Sequence, residues 1–370
     1  MRSRKESRFV NPLKPFIVVG TRPEIVKMAP IAHEYERRGI SFVLLHTGQH
    51  YSKFMSKSFF EDMGLREPNV NLEIGSGSHS EQTAKALVGI EKELLKYKPD
   101  IVLVQGDTNA VLSATLAAVK LNIPVGHVEA GLRSYDQRMP EEHNRRLTDH
   151  ASSYLFAPTE KSAEILRKEN VWGSIHITGN TVIDALESRI PLVKKRSNPI
   201  EKYDLEEYIL LTLHRAENVD DQKILTKLIE GLITLDEPIL FPAHPRTVSR
   251  LEQFDLVDRI EKCGKIKIIQ PVAYLDFLRL ILDSKFILTD SGGIQEEATA
   301  PSINKRVFVL RTSTERPEAI ESGHATLVGV NPSKFVPTIK DAISEGLEES
   351  RISPYGDGKA AKRIVDILEN

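Results

Sequence analysis

One cysteine, Cys263, is all the chain contains, so no disulfide can form within it and a reducing compartment suits it. No stretch approaches the roughly 18 consecutive apolar residues that a membrane-spanning helix requires. Neither sign of charge dominates: 50 Lys and Arg against 52 Asp and Glu leave a net charge of −2, which argues against nucleic acid or an acidic membrane as a partner. The opening MRSRKESRFVNPLKP is basic but lacks an apolar core, so no secretory signal is read there. A soluble, cytoplasmic protein is expected.

Several nucleotide and metal signatures are missing as well. There is no GxGxxG; GSGSHS at 75–80 comes nearest, with Ser80 in the third glycine's place and no strand close before it. There is no GxxxxGK[ST], which removes the P-loop as a phosphate cradle. His143 and His150 share a helix face seven residues apart, but HExxH and paired-cysteine spacings are absent, and a packing or subunit-contact face fits them better. Neither a nicotinamide, a metal nor any other cofactor is expected.

What the sequence does have is alternation. Short apolar runs such as FIVV, FVLL, IVLV, YILL and FIL alternate with segments whose apolar residues recur at helical spacing. That pattern predicts parallel sheets covered by helices on both faces. It lapses between about residues 186 and 203, in RIPLVKKRSNPIEKYD, where a linker is expected. Helices are expected over 220–235, 247–262 and 293–300, and the segment Gly358–Asn370 is also helical.

The ends of the strand-like runs are richer than turns require. They read GTRPE (20–24), TGQHY (47–51), QGDTNA (105–110), EAGLR (129–133), TGNT (178–181), LHRAEN (213–218), PAHPR (242–246), TDSGG (289–293) and RTSTERPE (311–318). Open α/β sheets bind ligands beyond the carboxyl ends of their strands, and two facing sheets would bound one cleft. In TDSGGIQEEA, Ser291, Gly292 and Gly293 put N–H groups and a hydroxyl at a helix start, suited to phosphate, and Glu297 follows where it could accept two vicinal hydroxyls. Acids collect at Asp107, Glu129, Glu141 and Glu142, and such carboxylates can stabilise an oxocarbenium ion and move protons. Cations gather opposite them: Arg22, Lys27, His214, Arg215, His244, Arg246 and Arg316.

Taken as a set, GTRPE, GHVEAGLRS with MPEEHNR, TGNTVIDAL, TDSGGIQEEA and TERPEA resemble the non-hydrolysing UDP-N-acetylglucosamine 2-epimerases, from residue 20 to about residue 329. The resemblance implies the GT-B architecture, two Rossmann-like doubly wound parallel-sheet domains flanking a deep cleft. Residues 1–188 would form the sugar-side domain, 189–355 the UDP-binding domain, and 356–370 a helix crossing back to the first. It implies Asp107, Glu129 and Glu141 as catalytic acids, with His214 near the phosphates. Arg22, Lys27, Phe277, Ser291, Gly292, Gly293, Glu297 and Arg316 would hold the nucleotide. Gln49, Arg215 and His244 match positions associated with a second, activating UDP-sugar, and a homodimer is expected on the same ground. The activity implied is reversible C2 epimerisation of UDP-N-acetylglucosamine by loss and re-addition of UDP. A related 2,3-diacetamido uronic acid as substrate, a hydrolysing 2-epimerase, a GT-B glycosyltransferase and a silent UDP-sugar sensor are the alternatives. Retention of all three acids argues against the sensor.

Overall fold

The computed structural model describes residues 13–48, 60–195, 207–345 and 351–370. The chain divides into two compact units: Met1–Thr181 with Ala361–Asn370, and Val182–Ala360. The boundary thus falls a few residues before the expected one, inside a helix, Thr181–Lys195. This helix also corrects the expected linker, because Arg189 to Lys195 continue it despite Pro191. Ile190 and Val193 are buried there, so an apolar face outweighs the proline and the charge run.

Unit 1 holds a seven-stranded sheet: β1 (Pro15–Val19), β2 (Val43–His46), β3 (Val70–Asn71), β4 (Ile101–Gln105), β5 (Val125–Val128), β6 (Tyr154–Ala157) and β7 (Ser174–Ile177). Its order is β3-β2-β1-β4-β5-β6-β7, every pairing parallel, with Phe16 opposite Val43 on one side and Val102 on the other. Strands β1 and β4 are buried along their whole length, as continuous β-branched runs covered on both faces should be. Phe16, Val18, Val102 and Val104 pack against Ile90, Leu94, Val111 and Ala114 of the covering helices.

Unit 2 holds six strands: β8 (Ile209–Thr212), β9 (Ile239–Pro242), β10 (Ile266–Ile269), β11 (Ile287–Thr289), β12 (Val307–Val309) and β13 (Ala325–Leu327). Their order is β10-β9-β8-β11-β12-β13, again all parallel. In both sheets the chain builds outward from the first strand, then returns to its other side. The switch points therefore lie between β1 and β4 and between β8 and β11, where diverging connections leave a crevice.

Helix ends account for several differences from expectation. The segment expected as one helix over 247–262 is two, Pro245–Gln253 and Val257–Cys263, because Asp255 takes a left-handed φ of 54°. The 220–235 helix is preceded by a separate turn, Ala216–Val219, and starts at Gln222 with the Asp221 carboxylate capping Lys223 and Ile224. The GSGSHS stretch serves a local purpose, since Ser78 and Glu81 form a reciprocal capping box that opens helix His79–Tyr97. The last helix, Ala360–Glu369, is fastened to unit 1 by Arg38, which pairs with Asp366 at 2.6 Å and with Glu369, and by Arg363 donating to the Thr178 carbonyl at 3.0 Å.

Candidate active site

Within unit 1 the β1/β4 switch point brings the first candidate residues together. Helix Arg22–Arg37 begins directly after β1, with Thr21 in extended conformation before it and Pro23 in its first turn. Arg22 and Pro23 are exposed there, while Glu24 turns inward and is buried. The Glu24 carboxyl accepts from the Gly20 N–H and from the Thr21 hydroxyl at 3.2 Å, and it bonds Thr108 of the β4 turn. Burial dominates those three neutral partners and pushes Glu24 up to about 7. It had no place among the expected site residues, although GTRPE contains it.

Lys27 lies one turn further along the same helix. Its ammonium is 2.5 Å from Glu129 Oε2, and the Gln105 amide donates to the same oxygen at 2.6 Å. Glu129 follows β5, is 8% exposed, and has a left-handed φ of 69°, a conformation that costs a non-glycine residue about 1–3 kcal/mol. Its neighbour Gly131 is a glycine for steric reasons: φ is 86°, and a Cβ would stand 2.4 Å from the Ser162 carbonyl oxygen.

Asp107 follows β4 and is half-buried, ion-paired with Arg145. Glu141 sits in the first turn of helix Pro140–Ala151, half-buried, and its carboxylate has no partner among the described residues. Glu142 is different: it is 2% exposed and accepts from the Ser134 N–H and hydroxyl at 2.8 and 3.0 Å and from Arg145 at 3.1 Å. Arg145 thus bridges Glu142 and Asp107, a role for which the NRR in MPEEHNRR was the available signal. The three candidate acids sit in three environments: one pinned by an ammonium and an amide, one by a guanidinium, one unpaired. Such differences are what separates acid from base roles.

Unit 2 builds its site around Asp290, at the end of β11 and fully buried. Its carboxylate accepts from the backbone N–H groups of His214 and Arg215 at 3.1 and 3.0 Å and from the Asn218 amide at 3.1 Å, folding the LHRAEN turn against the β8/β11 switch point. The His214 ring is 3.3 Å from Asp290. Desolvation lowers His214 from its ordinary value, with Arg215, His244 and Arg311 acting in the same direction and Asp290 against it. Ser291 caps helix Gly292–Glu297, which is shorter than expected because the chain turns off after Glu297. A Cβ on Gly292 would meet nothing nearer than Arg215 Nη2 at 3.7 Å, and one on Gly293 only Ser291 Oγ at 3.8 Å. Neither glycine is forced by packing or by positive φ. Two glycines in a first helical turn are then intelligible as backbone left open for close approach.

Arg316 starts helix Pro317–Glu321 and pairs at 2.5 Å with Glu296, while Glu297 is half-buried. Phe277 packs on the unit 2 core from helix Tyr274–Asp283. Arg311 and Glu315 form a further part-buried pair at 2.7 Å; burial works against the Glu315 charge, but the Arg311 guanidinium outweighs it and brings Glu315 down to about 2. Arg246 is occupied by Asp220, and His244 caps its own helix by accepting from Arg246 N at 3.2 Å. Gln49 lies outside the described residues. His143 faces the Gln137 carbonyl at 2.9 Å and His150 faces Glu169 at 3.7 Å, so the two do not converge. Among the described residues no group of three or more His, Cys, Asp or Glu is placed to hold a metal ion. No helix of the described residues is long and apolar enough to cross a membrane.

Known proteins are similar to this chain over most of its length. A family profile described as UDP-N-acetylglucosamine 2-epimerase matches residues 33–369. A UDP-N-acetylglucosamine 2-epimerase of Methanocaldococcus jannaschii is 47% identical over 96% of this chain and 99% of its own. The UDP-2,3-diacetamido-2,3-dideoxy-D-glucuronate 2-epimerase of Pseudomonas aeruginosa is 36% identical over 96% and 99%. A crystal structure of the M. jannaschii enzyme in complex with UDP-GlcNAc and UDP superposes with a TM-score of 0.85 at 48% identity, covering 96% of this chain and 99% of that one. The two-sheet fold, the acids at the unit 1 strand ends and these likenesses place the chain in one family: it belongs to the UDP-N-acetylglucosamine 2-epimerases.

Proposed function

We propose that the chain interconverts UDP-N-acetylglucosamine and UDP-N-acetylmannosamine by eliminating UDP and adding it back. The observation that supports this most is that Asp107 and Glu129 follow the neighbouring parallel strands β4 and β5, and that Arg145 ties Asp107 to the helix in whose first turn Glu141 stands. The hydrogen at C2 of an N-acetylhexosamine is not acidic in the intact sugar. Breaking the C1–O bond sends its electron pair out with UDP and leaves an oxocarbenium-like centre. Loss of the C2 proton to a carboxylate then closes the C1=C2 bond of 2-acetamidoglucal. Return of a proton to the opposite face of C2, with attack of a UDP oxygen on C1, completes the inversion. Atoms and electrons balance without an oxidant. Two faces need two proton carriers, and three acids in distinct settings are enough for both.

UDP is the leaving group, so the diphosphate charge must be stabilised as it develops. We assign this in unit 2 to the open N–H groups of Gly292 and Gly293, the Ser291 hydroxyl, His214 and Arg316, with Phe277 and Glu297 at the nucleoside; within unit 1, Arg22 and Lys27 are the candidate nucleotide ligands. Lys27 lies against Glu129, which gives it a second role in holding that carboxylate in place. The relative from M. jannaschii, whose structure contains UDP-GlcNAc and UDP, is the more similar one, which favours the acetamido sugar over the diacetamido uronic acid.

The test is proton NMR of the purified protein with UDP-N-acetylglucosamine in deuterated water, no cofactor added. Growth of UDP-N-acetylmannosamine carrying deuterium at C2 is expected. Free N-acetylmannosamine with UDP would instead indicate the hydrolysing reaction. No change, followed by turnover of the diacetamido uronic acid, would reassign the substrate.

A further inference from the structure

Behind the acids lies a buried ionic cluster that the proposed chemistry does not touch. Asp149, in the last turns of helix Pro140–Ala151, and His127, in β5, are both fully buried. His127 Nδ1 is 2.6 Å from Asp149 Oδ1, and its other nitrogen, Nε2, is 2.8 Å from the Gly106 carbonyl oxygen. Asp149 Oδ2 accepts from the Gly131 N–H at 3.2 Å and pairs with Arg133 at 2.7 Å. Arg133 in turn makes a two-pronged pair with Glu169 at 3.0 and 2.7 Å. Burial alone would raise the Asp149 carboxyl, but the His127 and Arg133 charges outweigh it and hold it below its ordinary value.

The connections of this cluster are its significance. Gly106 immediately precedes Asp107. His127 and Gly131 each lie two residues from Glu129, on either side of its left-handed backbone. Glu141 opens the helix that Asp149 nearly closes, and Arg145, between them, pairs with Asp107. One carboxylate is therefore tied to the backbone beside all three acids: directly at Gly131, through His127 at Gly106, and along one helix to Glu141. A strained φ persists only where surroundings over-determine it. Here the Gly131–Asp149 bond and the Glu129 and Ala130 N–H groups, both donating to the Phe156 carbonyl at 3.1 and 3.2 Å, supply that constraint.

We propose that His127 and Asp149 are positioning residues for the proton transfers, a buried clamp that sets Glu129 and Asp107 relative to one another. The inference rests on the epimerase reading above. Charged buried pairs add little net stability compared with apolar packing, so a purely structural role would be an inefficient use of this one. Geometric demand explains it better, since a displacement of about 1 Å far from the reacting atoms can cost roughly 100-fold in rate.

The experiment compares the full-length parent with His127→Phe, His127→Gln and Asp149→Asn. It measures kcat and KM for UDP-N-acetylglucosamine, UDP affinity by calorimetry, and deuterium uptake at C2. Phe removes both ring hydrogen bonds and Gln can restore one. The expected result is a kcat lowered by roughly 100-fold in His127→Phe and partly recovered in His127→Gln, with KM and UDP affinity within about threefold of the parent. Deuterium uptake should fall in step with kcat. Asp149→Asn keeps the shape of its side chain and provides the reading should His127→Phe not fold. Folded variants with kcat within about threefold of the parent, or with KM and UDP affinity degraded as much as kcat, would overturn the clamp. A parent inactive on both UDP-N-acetylglucosamine and the diacetamido uronic acid would overturn the epimerase reading and the clamp with it, whereas an active parent with unaffected variants would overturn the clamp alone.

Discussion

Replacing Glu24 by glutamine should make the protein more stable at alkaline pH and leave it nearly unchanged in acid. The buried carboxyl is bonded only to neutral groups, the Gly20 and Thr21 amides and two threonine hydroxyls, which offset only part of the hydration lost when it ionises. Its value rises from 4.5 in the unfolded chain to about 7 in the folded one. At about 1.4 kcal/mol per pH unit, that gap corresponds to about 3 kcal/mol. The folded state binds the proton more tightly. The stabilisation from protonation is therefore complete below pH 4.5 and is lost as pH rises through about 7. The glutamine side chain would keep an acceptor for the Gly20 N–H and a donor for a threonine hydroxyl, without the titration. Between pH 5 and pH 8 the variant should gain about 2.5 kcal/mol on the parent. Because two units unfold in one chain, the assay should report on unit 1 itself: hydrogen exchange of the slowest β1 and β4 amides, corrected for intrinsic rates, at several pH values. All other titrating groups are common to both proteins and cancel in the difference. Parallel curves for parent and variant would show that Glu24 ionises normally, and the argument from desolvation would be wrong.

Opposite in sign is His324 in unit 2, fully buried, whose Nε2 has no partner among the described residues. Burial lowers it from 6.5 to about 4, so its contribution is present above pH 6.5 and about 3 kcal/mol is lost as pH falls through 4. His324→Asn should flatten the acid limb of the unit 2 exchange profile, and an unchanged slope would exclude His324 as its source. Alanine at Asp107 should reduce turnover by at least about 100-fold while UDP affinity stays within a few-fold, and normal turnover would remove Asp107 from the chemistry. Alanine at Gly292 meets nothing nearer than 3.7 Å, so it should raise stability by up to about 1 kcal/mol while weakening UDP binding more than about tenfold. Undiminished UDP affinity would mean that the diphosphate is held elsewhere.

Much of the fold was legible because parallel strands buried on both faces write themselves as continuous apolar runs. FIVV, IVLV, YILL and FIL are strands β1, β4, β8 and β11, and each forms part of a switch point. What periodicity could not show was where helices break. The pattern over 247–262 stays apolar at helical spacing through Asp255, yet one left-handed residue ends the first helix and starts a second. Short strands such as Val70–Asn71 and Ala325–Leu327 were also invisible, since their partners, not their composition, make them strands. Pro191 points the other way: it reads as a breaker, but the buried Ile190 and Val193 face carries the helix past it.

The candidate acids could be named from sequence, but their connections could not. Asp107, Glu129 and Glu141 stand at strand ends and a helix start, where chemistry is expected of any carboxylate. That Lys27 would sit on Glu129 rather than only beside a diphosphate depends on a separation of 102 residues, and no local pattern encodes it. Asp149, buried among residues that read as an ordinary polar helix, gives no sign of its own in TDHASS. Its partners have to be folded into place before one carboxylate is seen to reach the Gly106 carbonyl through His127 and Gly131 directly. Sequence therefore indicates which groups stand at the strand ends, where open α/β sheets bind ligands. The residues that aim them are fixed by tertiary contacts. Substitutions at Asp149 and His127 should consequently distinguish the two roles: losing a group that faces the sugar removes a proton carrier, while losing one behind it displaces carriers that are still present.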